Sequence, residues 1–103
     1  MGVTDGLSAA DRLSVDLARS ENQLIRELIA VRQRRGLKPA EVARKMGVDR
    51  SVVTRFESGA TNPTMATVNR YAEAVGAMIR YTVESDAGRA VTPVSRSASR
   101  STD

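Results

Sequence analysis

Arg44, Lys45, Arg50 and Arg55 crowd around Gly47 in the stretch VARKMGVDRSVVTRFESG, opposed only by Asp49 and Glu57. Cationic groups at that density suit an acidic, phosphate-bearing partner. Taken singly, each is read equally well as a solvated surface charge, so the arrangement has to carry the reading. Other chemistry is poorly supplied. The 103 residues contain no cysteine, which removes disulfides, thiolate metal sites and cysteine nucleophiles, and no histidine, the commonest metal ligand and general base. The acidic residues are mostly spread singly. No enzyme activity, catalytic residue, metal or cofactor is therefore expected.

The elements that would position these cations follow from glycines, caps and apolar spacing. Ser8–Ser20 has leucines at 13 and 17, continuing to Leu24 at helical intervals. Two readings are open there, a separate short helix or an extension of the next one. Ser20 and Gln23 fit a capping box, which favours a fresh start at Glu21. That helix carries Leu24, Leu28 and Val31 on one stripe, flanked by Ile25 and Ile29, and ends at Gly36. Pro39 is tolerated in a first helical turn, so a second helix runs from Pro39 to Met46 with Val42, Ala43 and Met46 inward. Gly47 ends it, and Asp49 caps a third helix from Arg50 to about Ser58, with Val53 and Phe56 in the core. Two short helices joined by a tight glycine-containing turn make a helix–turn–helix. Thr64 caps a fourth helix whose buried face is Met65, Val68, Tyr71, Ala72 and Val75.

Beyond Gly76 the period changes. MIRYTVE, residues 78–84, alternates, with Ile79, Tyr81 and Val83 on one face, and reads as one strand. A lone strand leaves its ladder groups unpaired, so it either pairs with a second copy across a two-fold axis or lies as irregular chain on its own domain. The organisation expected is an N-terminal extension over 1–19, helical or partly disordered, a domain over 20–77, a dimerising strand over 78–84 and a disordered tail over 85–103. Between Glu21 and Glu84 eleven basic residues face seven acidic ones. No apolar run approaches the roughly 20 residues that span a bilayer, and the expectation is a cytoplasmic protein without membrane contact.

Gly36–Ala77 resembles the Xre family of helix–turn–helix regulators, the Cro and phage-repressor group. The resemblance rests on Gly36-Leu37, Val42-Ala43, Met46-Gly47-Val48, the run RFESG from Arg55 to Gly59, Asn62-Pro63, and the run YAEAVG from Tyr71 to Gly76. It implies an all-α, lambda-repressor-like bundle of four to five helices, here followed by the C-terminal β-strand, with the third helix in the DNA major groove. Carried over by position, Arg50, Ser51, Thr54 and Arg55 would read bases, while Lys38, Arg44, Lys45 and Thr64 would meet phosphates. Thr54 has an alternative use, bonding its own helix carbonyl. Arg32 and Glu57 align with a salt bridge that fixes the third helix. The family pattern usually begins the second helix with a glutamine that contacts phosphate, where this chain has Pro39. The loop Ala60-Thr61-Asn62 lacks the lysines or arginines often found there.

A helical domain followed by a dimerising strand also resembles the HigA- and HipB-like antitoxins. The resemblance therefore implies a homodimeric repressor on double-stranded DNA, binding an inverted repeat, or an antitoxin that also holds a toxin protein. A protein-interaction module without DNA affinity is the third reading.

Overall fold

The computed structural model describes residues 8–89. Its elements are α1 (Ala9–Arg34), α2 (Pro39–Met46), α3 (Arg50–Ser58), α4 (Met65–Val75) and a single turn, α5 (Asp86–Arg89). The expectations for 1–7 and 90–103 lie outside the described residues.

The sequence favours a helix start at Glu21, and the structure corrects this. α1 is one helix of 26 residues capped by Ser8, whose Oγ accepts from the Asp11 N–H at 3.0 Å while Asp11 Oδ2 accepts from the Ser8 N–H at 3.3 Å. Two capping boxes are thus written in the sequence, and the upstream one is used. Residues 9–34 contain neither glycine nor proline, so nothing ends the helix before Ser20. A serine in a helix interior costs only a few tenths of a kcal/mol, roughly 0.5. Once the helix passes through Ser20, no orphan N–H remains there to cap.

α1 ends in a Schellman turn. The Gly36 N–H donates to the Gln33 carbonyl at 3.0 Å and the Leu37 N–H to the Arg32 carbonyl at 3.1 Å. α2 closes the same way, through Gly47 to Arg44 and Val48 to Ala43. Gly47 has φ +72° and ψ 31°, a left-handed conformation that costs a side-chain-bearing residue about 1 kcal/mol or more. The turn from Gly47 to Asp49 then delivers the chain to α3, whose cap is the Asp49 carboxylate. One glycine and one aspartate therefore set the angle between α2 and α3.

The core joins four helices. Ile25 and Leu28 of α1, Val42, Ala43 and Met46 of α2, Val53 and Phe56 of α3, and Val68, Tyr71, Ala72 and Val75 of α4 are buried in one cluster. Phe56 and Tyr71 stack with centroids 4.6 Å apart and an interplanar angle of 27°. The expected inward face of α4 is right at four of its five positions. Met65 is 63% exposed, because the first residue of α4 precedes the turn that reaches the core.

The expected C-terminal strand is not formed. Residues 77–85 carry neither helix nor strand, since a ladder needs a second strand and the described residues contain none. Ala77 and Ile79 instead pack on the core, beside a groove of about 340 Å³ that Leu24, Leu28 and Val31 of α1 also line. Val83, placed by alternation with Ile79, is 94% exposed. The described beginning of the expected disordered tail contains the helical turn α5.

The continuity of α1 is tested by two substitutions. Ser8→Ala should fray the first turns of α1, at a local cost of about 1 kcal/mol, while Ser20→Ala should be neutral or slightly stabilising. Amide exchange across residues 9–24 reads both, and greater loss from Ser20→Ala would mean that the helix starts near Glu21.

Candidate nucleic-acid interface

Glu57, in the last turn of α3, is where three helices meet. Arg32 of α1 donates to its carboxylate twice, Nε to Oε2 at 2.7 Å and Nη2 to Oε1 at 3.2 Å. The Tyr71 hydroxyl of α4 donates to the same Oε2 at 2.5 Å. Arg32 Nη1 also reaches the Leu37 carbonyl at 2.8 Å, tying the pair to the chain leaving α1. The Arg32 and Glu57 side chains are only 12% and 13% exposed, so this forked pair acts with little solvent screening. Burial, and then the neighbouring Glu57 carboxylate, push the Tyr71 phenol well above the usual tyrosine range. It therefore remains a donor at neutral pH.

A second clamp holds the turn. Arg70 of α4 donates through Nη2 to the Met46 carbonyl at 2.8 Å, at the end of α2. No sequence pattern marks that bond, which spans 24 residues. Tyr71 and Glu57 could have been linked from the sequence only through the rule that a buried tyrosine hydroxyl usually finds a partner.

Held by these contacts, α3 turns a polar face outward. Arg50, Ser51, Thr54 and Arg55 are all exposed, and at 100° per residue they fall within an arc of about 140°. The Asp49 cap stands at the head of this face. Its carboxylate accepts from Ser51 Oγ at 2.7 Å and from the Ser51 N–H at 3.3 Å, and these bonds hold its carboxyl below the usual carboxylate range. Thr54 Oγ1 donates to the Arg50 carbonyl at 3.1 Å, the alternative use open to it from the sequence.

The expected phosphate-facing residues come from α2 and the head of α4. Arg44 and Lys45 are exposed on α2, and Lys38 is exposed at its N-cap, where its backbone N–H donates to Glu41 Oε1 at 2.8 Å. Thr64 caps α4, its Oγ1 accepting from the Thr67 N–H at 3.1 Å. Ile79 is packed against the core while Tyr81 is exposed, so the expected dimer face is split. Among the described residues no group of three or more His, Cys, Asp or Glu could hold a metal ion. None of the described helices is long and apolar enough to cross a membrane.

This geometry, a short helix rigidly held after a left-handed turn with a polar face outward, defines a helix-turn-helix domain. The model of the helix-turn-helix domain family matches residues 23–80, more than half of the chain, and the chain belongs to that family. Its particular likeness is to Antitoxin HigA1 of Mycobacterium tuberculosis, from strain CDC 1551 / Oshkosh and strain ATCC 25618 / H37Rv, each 37% identical over 67 residues. The resemblance is thus to an Xre-like helix-turn-helix protein of HigA type. The match covers 65% of this chain and 45% of each relative, so the chain spans less than half the length of those relatives. No solved structure gives a significant match.

Two predictions follow from the Glu57 cluster. Glu57→Gln should keep the shape but leave Arg32 without a counter-charge, lowering unfolding stability by about 3 kcal/mol, as read by urea denaturation at neutral pH. A loss below about 0.5 kcal/mol would mean that solvent screens the pair. For Tyr71 the sign comes from its raised folded-state pKa. Its contribution is complete below the unfolded tyrosine value near pH 10 and is lost as pH rises beyond it, because only the unfolded phenol ionises there. Tyr71→Phe should be less stable at neutral pH, yet lose less of its stability between about pH 9 and pH 11 than the parent protein. Parallel urea titrations at the two alkaline values check this, and equal losses would contradict it.

Proposed function

We propose that this chain is a DNA-binding transcriptional regulator that sets α3 in the major groove and acts as a repressor on an inverted-repeat operator, its own promoter included. The observation that carries this reading is the outward face of α3, with Arg50 and Arg55 projecting from a helix locked by Glu57, in a chain that belongs to the helix-turn-helix family. Arginine suits the guanine O6 and N7 edge, and Ser51 and Thr54 can bond base edges. Arg44, Lys45 and Lys38 supply phosphate contacts that hold register without reading sequence. Thr64, at the head of α4, adds backbone N–H groups at a helix N-terminus.

A two-fold dimer belongs to the proposal. Two copies would place their α3 helices about one DNA turn apart, roughly 34–36 Å. What supports it is the exposed apolar run Met78, Tyr81 and Val83, beyond the point where Ile79 joins the core. A second reading, an antitoxin that binds a toxin protein while repressing its own promoter, is favoured by the likeness to Antitoxin HigA1. The two readings share the DNA-binding step. They separate on whether the product of an adjacent reading frame co-purifies with this chain.

The test is fluorescence anisotropy on the DNA upstream of the protein's own gene against a scrambled duplex, each at two salt concentrations. Arg50→Ala should erase the preference between the duplexes. Lys45→Ala should weaken both about equally and lower the salt slope by about one unit. Indistinguishable effects would overturn the assigned roles, and no binding to either duplex at low salt would overturn the DNA-binding reading.

A further inference from the structure

The outward face of α3 offers a partner two kinds of polar group, and internal bonds decide which kind each hydroxyl can be. Ser51 Oγ lies 2.7 Å from Asp49 Oδ2. A carboxylate only accepts, so the single hydroxyl proton of Ser51 is directed at it. Thr54 Oγ1 lies 3.1 Å from the Arg50 carbonyl oxygen, which also only accepts. Both hydroxyl protons are thus committed to bonds within the protein, which leaves the oxygen lone pairs as what each hydroxyl offers a partner. Asp49 Oδ1 adds a third acceptor, while Arg50 and Arg55 are the cationic donors of the same face.

We propose that this acceptor set makes Ser51, backed by Asp49, a reader of the cytosine N4 amino group, within a G·C pair whose guanine is gripped by a neighbouring arginine. The inference rests on the DNA-binding reading and specifies its base preference. In the major groove a G·C pair presents O6 and N7 as acceptors and the N4 amine as donor, which matches a guanidinium beside an acceptor-only pair. Thymine presents O4 and a methyl, so lone pairs would face lone pairs and two desolvated acceptors would stay unsatisfied. Adenine offers the N6 amine but sets the N7 lone pair next to it, facing the Asp49 charge. Cytosine alone carries a donor with no acceptor beside it on its own edge.

The experiment selects bound duplexes from a random library with the full chain, then measures anisotropy on the best duplex. Each recurrent cytosine is replaced in turn by N4-methylcytosine, which removes the proton that points into the major groove. Asp49→Asn runs alongside, because asparagine caps a helix as well as aspartate but presents amide donors as well. One cytosine should be found whose N4-methylation weakens the parent protein roughly tenfold and whose selection is lost in Asp49→Asn. Thymine or adenine enriched under this face, or N4-methylation without effect at every cytosine, would overturn the inference while leaving DNA binding intact. If no duplex is enriched, the DNA-binding reading fails and this inference falls with it. Should Asp49→Asn not fold, as judged by thermal unfolding, the N4-methylcytosine series on the parent protein decides alone.

Discussion

The Glu57 carboxylate is the constraint on which the rest of this domain depends. It belongs to α3, yet its partners are Arg32 on α1 and Tyr71 on α4, so one nearly buried anion fixes the third helix from two sides. A buried ion pair need not add much net stability over a well-packed apolar substitute, because desolvation offsets most of the attraction. What it adds here is position. Val53 and Phe56 could seat α3 on the core with some latitude in rotation, since apolar packing is non-directional. A forked guanidinium and a phenol aimed at one carboxylate remove that latitude.

The rest of the site follows from that fixed helix. Arg70 ties the end of α2 to α4 through the Met46 carbonyl, so the turn is held on its far side as well. With both ends of the turn fixed, the face bearing Arg50, Ser51, Thr54 and Arg55 is presented ready-formed, and little ordering entropy would have to be overcome on docking. Two of the arginines that raise the basic count are bonded to groups within the domain. Arg32 serves Glu57, and Arg70 serves the Met46 carbonyl. Arg44 and Lys45 on α2 and Arg50 and Arg55 on α3 are, by contrast, exposed.

Much of this was legible in the sequence, for identifiable reasons. Gly47 and Asp49 announced the turn because a left-handed glycine and an N-cap act within a few residues of themselves. Val53, Phe56 and the inward face of α2 showed in the apolar period. The start of α1 was not legible, because Ser8 and Ser20 both head plausible capping boxes and local pattern cannot rank two valid starts. The segment 78–84 misled for a related reason. Its alternation is real, but whether alternation becomes a strand depends on a pairing partner that the pattern does not specify. The Arg70 bond lay beyond local reasoning, since it depends on where a carbonyl 24 residues away comes to rest.

The unbroken course of α1 has a geometric consequence. Leu13 and Leu17 sit on the same stripe as Leu24 and Val31, yet Leu17 is 61% exposed while Leu24 and Val31 are packed against the core. Because no break separates the two halves, their angular phase is shared along a rod of about 39 Å. Removing one residue near Ser20 would swing the leading leucines by about 100° around the axis, whereas removing seven would return them within about 20° of the original stripe. The upstream half of α1 can therefore change length only in near-whole turns if its leucine stripe is to keep its bearing on the domain.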